Sequence, residues 1–196
     1  MPTWASAMKL ADKLADELRA LAGDDEARND HFTEHGGAQL LVGLLHLGPT
    51  SKAAASAAGT VINLSIASDD YDRVLGEAGA ISPLVALLGA GADNQAARNA
   101  TRALSNLCNL DANCDAVCEA GAIAPLVALL GAGADNEAAK NAATALSNLA
   151  CNNVANKDAI REAGGIAPLV ALLSGGADNE AAERAAAALS NLACDN

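Results

Sequence analysis

The 196-residue chain carries 24 acidic and 12 basic residues, a net charge of −12, and only three aromatic residues, Trp4, Phe32 and Tyr71, within a 52% hydrophobic composition. Its apolar content comes from Ala and Leu, both strong helix formers, where a β-sandwich or barrel would draw on Val, Ile, Tyr, Phe and Thr, so an all-helical protein is predicted. The acidity argues against nucleic acid or anionic membrane as the main partner, because both recruit Lys and Arg.

The first element predicted is a helix from Trp4 to Ala22. Trp4, Met8, Ala11, Leu14, Ala15, Leu18 and Leu21 share one face, and Lys9, Asp12, Lys13, Asp16, Glu17 and Arg19 share the other. Residues 1–13 lack the apolar segment of a secretory signal. Next comes His31-Phe-Thr-Glu34-His35, which matches the His-x-x-Glu-His string of inverted zinc proteases. Glu34 is also the first member of a series that repeats along the chain, and the repeat register makes this a short structural helix.

The series runs through Glu34-His-Gly-Gly-Ala-Gln-Leu-Leu-Val, Glu77-Ala-Gly-Ala-Ile-Ser-Pro-Leu-Val, Glu119-Ala-Gly-Ala-Ile-Ala-Pro-Leu-Val and Glu162-Ala-Gly-Gly-Ile-Ala-Pro-Leu-Val, starting 43, 42 and 43 residues apart. Each Glu is followed 29 positions later by an Asn: Asn63, Asn106, Asn148 and Asn191. Within a repeat, a short helix is expected to end at Gly79, Gly121 or Gly164, where the left-handed conformation comes without a Cβ penalty. A second helix would open at Pro83, Pro125 or Pro168 as its first residue and stop at Gly89, Gly131 or Gly175. Asp93, Asp135 and Asp178 are placed to cap the third and longest helix. Its Ala100, Ala103, Leu104 and Leu107 recur at three- and four-residue steps, marking one buried stripe. A period near 42 residues built of helices predicts a stacked solenoid.

The Glu-Ala-Gly-Ala-Ile-x-Pro-Leu-Val-x-Leu-Leu…Ala-Leu-Ser-Asn-Leu pattern resembles the armadillo repeat. The resemblance implies a right-handed superhelical solenoid of three-helix repeats, with residues 1–24 as an N-terminal capping helix and repeats at about 25–67, 68–109, 110–152 and 153–196. Repeats two and three differ at five of 30 positions, which suits recent duplication or consensus construction. In armadillo proteins the third-helix Asn faces a concave groove and bonds the backbone of an extended peptide. An amide suits that task because it both donates and accepts. The alternative for Asn63, Asn106, Asn148 and Asn191 is a bond to a neighbouring helix.

Positions 4, 7, 8 and 11 residues before each Asn should share its face. They are Lys52, Ala55, Ser56 and Gly59; Gln95, Arg98, Asn99 and Arg102; Glu137, Lys140, Asn141 and Thr144; and Glu180, Glu183, Arg184 and Ala187. With five basic and three acidic members the row nets +2 in a chain of −12. Nuclear import adaptors of the family carry Trp four residues before the Asn, where this chain has Gly59, Arg102, Thr144 and Ala187. Without those aromatic slots, the row is more similar to that of beta-catenin-type members, which accept acidic extended segments. The expected function is therefore a non-catalytic scaffold for a neutral-to-acidic peptide, with Asn63, Asn106, Asn148, Asn191, Arg98, Arg102, Asn99, Lys140, Asn141, Thr144 and Arg184 as its contacts.

A competing expectation follows from the last repeat, which no polar helix covers: self-association through Leu189 and Leu192, or a truncated or engineered array without a dedicated ligand. No Ser, Cys or Thr pairs plausibly with His and Asp, so no enzyme, metal or cofactor is expected. Cys108, Cys114, Cys118, Cys151 and Cys194 lack a framework spacing and fit reduced thiols of the cytoplasm or nucleus. The Asn63-Leu-Ser and Asn99-Ala-Thr strings fall inside helices, which argues against glycosylation.

Overall fold

The computed structural model describes residues 4–21, 26–151 and 153–194. Thirteen α-helices occupy them in order: α1 (Trp4–Leu21), α2 (Glu26–Glu34), α3 (Gly37–Leu45), α4 (Lys52–Ala67), α5 (Asp69–Glu77), α6 (Ile81–Leu88), α7 (Gln95–Leu107), α8 (Asp111–Glu119), α9 (Ile123–Leu130), α10 (Glu137–Ala150), α11 (Val154–Glu162), α12 (Ile166–Leu172) and α13 (Glu180–Ala193). Among the described residues there is no strand. The expected boundaries at residues 24–25 and 152 and the end of the last repeat at 196 lie outside the described residues, as do the side chains of Trp4 and Leu21.

The long helices α1, α4, α7, α10 and α13 pack each on the next, and each second helix packs on the third helix of its own repeat. The capping helix thus stands where a third helix would, with Ala15 and Leu18 buried. Stacking is close because the shared faces are small. Ala100, Ala103, Ala142, Ala145, Ala185 and Ala188 are fully buried, and Leu104, Leu107, Leu146 and Leu149 fill the space behind. Burial at about 25 cal/mol per Å² of apolar area is thereby accumulated by repetition, since each Ala offers little on its own.

Backbone chemistry sets the corners. Gly79 has φ 85° and Gly121 φ 79°. At the first corner the Gly79 N–H bonds the Gly76 carbonyl at 3.0 Å and the Ala80 N–H bonds the Leu75 carbonyl at 3.1 Å, a Schellman closure. The second helix then starts at once, and α8 and α9 meet at 89°. It begins two residues earlier than the prolines suggest, so Pro83 stands third in α6. That position also lacks an intrahelical N–H partner, which is why proline is tolerated there. The stop falls as expected at Gly89 and Gly131, the C-caps of α6 and α9, and earlier in α12. Gly89 keeps helical angles as the α6 C-cap, the left-handed residue is Gly91 at φ 84°, and α12 ends at Leu172 before a 3₁₀ turn to Gly175.

That turn moves the expected cap by one residue. Asn94, Asn136 and Asn179, and not the preceding aspartates, accept from the free N–H groups of α7, α10 and α13, as in Asn94 Oδ1 to the Ala96 and Ala97 N–H at 2.8 and 3.1 Å. Asn94 has the extended angles (φ −81°, ψ 131°) that an N-cap requires. In α4 the cap is Ser51.

One position in the first helix of each repeat is buried whatever residue fills it: Asn29, Asp72, Cys114 and Lys157. It lies beside helix C-termini. Lys157 Nζ donates to the Cys194 carbonyl at 2.8 Å, and the Cys114 thiol donates to the Cys108 carbonyl at 2.9 Å. Ionised Asp72 has only acceptors to offer, and neither carboxylate oxygen has a hydrogen-bond partner. Burial pushes its pKa from 3.8 up to about 6; the nearby Ser65 hydroxyl opposes part of the shift and the charge of Asp69 adds to it. A carboxyl raised in the folded state weakens folding as pH climbs from 3.8 to about 6, and the whole penalty applies above that. Asp72→Asn installs the residue of the first repeat, and is expected to raise stability by about 2 kcal/mol at pH 7–8. The gain should vanish near pH 4, as thermal melts across the pH series will record.

Candidate functional site

The row of third helices presents the predicted residues together, at unequal exposure. On α4, Lys52 is paired with Asp16 of α1 at 2.9 Å, and the buried Ser56 donates to the same carboxylate at 3.2 Å. Lys52 holds the Asp16 carboxyl below its ordinary range, and Asp16 in turn raises the lysine. Gly59 is buried and Asn63 half-buried. The capping helix thus engages Lys52 and Ser56 of the first repeat, although Lys52 stays exposed.

On α7 the row is open. Arg98 donates to the Asp93 carbonyl at 2.8 Å and to Gln95 Oε1 at 2.7 Å, without touching a carboxylate. Gln95 in turn donates to Asn99 Oδ1 at 2.8 Å, and Asn99 Nδ2 donates to the Ala55 carbonyl of α4 at 2.8 Å. Arg102 is exposed, and Asn106 half-buried. Neither side chain has a hydrogen bond or ion pair among the described residues. On α10, Lys140 pairs with Glu137 at 2.8 Å, which raises its pKa, and Thr144 donates to the Lys140 carbonyl at 3.1 Å. Asn141 is half-buried beside them. On α13, Arg184 lies 3.6 Å from Glu180, with Glu183 and Ala187 exposed.

The asparagines divide. Asn148 Nδ2 donates to the Ser105 carbonyl at 3.1 Å and to Asn109 Oδ1 at 3.3 Å. Asn191 Nδ2 donates to the Ser147 carbonyl at 2.9 Å and its hydroxyl at 3.1 Å. Both amides hold the preceding long helix and keep their carbonyl oxygens free to accept. Asn106 retains donor and acceptor alike. The bond to a neighbouring helix is thus present for Asn148 and Asn191, and it uses only the amide nitrogen.

The final repeat has an open face, with a different composition from that expected. Leu192 is buried and Leu189 half-buried. Its exposed large apolar residues are Val154 at 52% on α11, and Ile166 at 45%, Val170 at 51% and Leu173 at 39%, where the counterparts Ile123 and Leu130 are at 7% and 1%. The C-terminal end of α13 is held by the first helix of its own repeat, since Arg161 and Lys157 donate to the Leu192 and Cys194 carbonyls. Elsewhere, the rings of His31 in α2 and His35 just after it lie 4.0 Å apart, tilted by 39°, and no group of three or more His, Cys, Asp or Glu able to hold a metal occurs among the described residues. The Cys114 bond and burial drive the Cys108 thiol pKa well up. No single described helix is long and apolar enough to cross a membrane.

A family model for the Armadillo/beta-catenin-like repeat matches residues 68–109, 111–151 and 153–194. Among solved structures, the designed armadillo repeat protein YIII(Dq)4CqI is similar at 30% identity and TM-score 0.80, over 100% of this chain and 79% of that one. The designed armadillo repeat protein YIII(Dq.V1)4CPAF, in complex with peptide (KR)4, aligns at 30% identity and TM-score 0.76, over 98% and 76%. A chain from a study of the phosphorylation switch between cadherin and beta-catenin aligns at 26% identity and TM-score 0.83, over 96% of this chain and 37% of that one. No curated protein sequence matches.

The division among the asparagines is measurable as stability. Asn148→Ala and Asn191→Ala should each cost about 1 kcal/mol in urea unfolding, while Asn106→Ala stays within about 0.5 kcal/mol of the parent.

Proposed function

The chain belongs to the armadillo repeat family, and on that premise we propose that it is a non-catalytic scaffold binding an extended, neutral-to-acidic peptide segment along the row formed by α4, α7, α10 and α13. The observation that carries the reading is the pairing of the cations. Lys52, Lys140 and Arg184 each face a carboxylate of the chain itself. Arg98 and Arg102 on α7 face none, so the centre of the row holds uncompensated positive charge within an acidic molecule. At α13 the balance reverses, with Glu180 and Glu183 against Arg184.

The ligand backbone would be held by the free carbonyl oxygens of Asn148 and Asn191 and by both ends of Asn106, with Asn63, Asn99, Asn141 and Thr144 flanking. Peptide (KR)4 in a designed relative supports peptide binding by this architecture. The opposite charge preference is proposed here, because Arg102, exposed and facing no carboxylate, repels a basic ligand. Four repeats limit the contact area, so affinity should be micromolar or weaker, about −8 kcal/mol. A reduced compartment, cytoplasm or nucleus, suits five free thiols.

A second reading is supported by the exposed Ile166, Val170 and Leu173: assembly through the final repeat. Light scattering separates the two, since a mass that rises with concentration and reverts on Val170→Glu assigns the function to self-association.

On a peptide array, Glu-containing sequences should be retained over Lys-rich ones, and the preference should fade at high salt. Combining Asn106→Ala with Asn148→Ala should weaken binding at least tenfold. Retention of Lys-rich ligands, or binding indifferent to both substitutions, contradicts the proposal.

A further inference from the structure

Three of the five thiols meet where α7 hands over to α8. Cys108 is the C-cap of α7 and is 4% exposed, and Cys114, on α8, is 8% exposed. The Cys114 Sγ lies 2.9 Å from the Cys108 carbonyl oxygen and 4.0 Å from that of Asn148. The Cys151 N–H donates to the same Asn148 carbonyl at 3.1 Å, which brings the end of α10 up to Cys114 from the other side. At the neighbouring junctions the positions of Cys108 and Cys114 hold Ser65 with Asp72 and Ala150 with Lys157, so a pair of thiols is particular to this junction.

The two thiols are unlike. The Cys108 thiol donates to the Cys114 sulfur, and this holds the Cys114 pKa below its ordinary value against burial and the charges of Asp111 and Asp115. The same bond, together with burial, pushes the Cys108 thiol well up. Cys114 therefore gives up its proton first, and Cys108 keeps one to donate. Cys114 also lines a cavity of about 220 Å³, together with Asp111, Asp115, Leu149, Cys151 and Asn153. A small hydroperoxide fits that space, and a rim with two carboxylates disfavours anionic reagents. Thiolate character combined with access is what sets susceptibility to oxidation.

We propose that Cys114 is a site of reversible oxidation by a small hydroperoxide, with Cys108 as the thiol that closes the disulfide. The Cys114 thiolate attacks one peroxide oxygen, an S–O bond forms, the O–O bond breaks, and the departing hydroxide takes up a proton to leave as water. The Cys108 sulfur then attacks the Cys114 sulfur. An S–S bond forms, the S–O bond breaks, and the leaving hydroxide departs as water with the Cys108 proton. The two thiols give up two electrons, the peroxide accepts them, and a small dithiol restores the pair. No distant element has to move, because the residues are six apart in sequence and already in contact. The bond ties the end of α7, two residues beyond Asn106, to α8.

The test is peptide mapping of the reduced full chain after brief treatment with hydrogen peroxide near neutral pH. Cleavage before Asp111 and Asp115 puts Cys108, Cys114 and Cys118 on different fragments, so a linkage is read directly. The expected product is a Cys108–Cys114 cross-link that dithiothreitol reverses, formed several-fold faster than oxidation of the exposed Cys194. Cys108→Ser should let a 1,3-diketone probe trap Cys114 as its sulfenic acid, and Cys151→Ser should leave the cross-link intact. The map of the parent chain decides even where a variant fails to fold. An unmodified Cys114, oxidation of Cys194 ahead of it, or a Cys114–Cys151 bond in place of the expected one overturns the proposal.

Discussion

Everything in this molecule depends on long helices being able to approach one another closely along their whole length. Alanine provides that at the stacking positions of α7, α10 and α13, where a larger side chain would separate adjacent repeats and open gaps that the surrounding leucines could not fill. Close stacking has a second consequence. It brings the side chains of one long helix within hydrogen-bonding distance of the backbone of the one before, which is how Asn99, Asn148 and Asn191 come to donate to Ala55, Ser105 and Ser147. The face proposed to bind the ligand is therefore built from the contacts that hold the solenoid together.

Small residues also shift the electrostatic burden. With few large apolar groups to cover it, the chain buries one polar or ionisable position per repeat near helix C-termini, and the residue chosen decides whether that position helps. Lysine at 157 donates to a carbonyl, the thiol of Cys114 does so weakly, and the ionised carboxyl of Asp72 has nothing to donate and no partner. Identical geometry thus yields three different contributions. The same logic distributes charge along the row: where repeats supply Glu137 or Glu180 a cation is neutralised within its own helix, and where the second repeat supplies Gln95 it keeps its charge uncompensated.

The fold was legible because its period is long and its punctuation consistent. Gly79 and its equivalents marked true corners, and Ala100, Ala103, Leu104 and Leu107 marked the buried stripe. What eluded the sequence were choices between neighbours with similar chemistry. Asp93 and Asn94 can both cap a helix, and only the turn begun at Gly91 decides for Asn94. Leu189 and Leu192 looked like an outward surface, because periodicity does not say which neighbour covers a stripe; Ile166, Val170 and Leu173 carry the exposure instead. Arg19 was read as an ordinary solvated residue of an amphipathic helix. Its place over Gly59 arises from the stacking of two helices far apart in sequence, although an isolated Gly within an Ala-rich helix was a readable sign of close approach.

The central claim is that the face of the long helices, with its cationic centre at α7, receives the ligand. Nuclear magnetic resonance titration of the isotopically labelled chain with a spin-labelled Glu-containing peptide measures this directly. The account predicts paramagnetic broadening of the Asn106 and Asn141 side-chain amides and the Arg102 Nε–H, with the amides of Val170 and Leu173 unaffected. Broadening confined to Ile166, Val170 and Leu173 would contradict it.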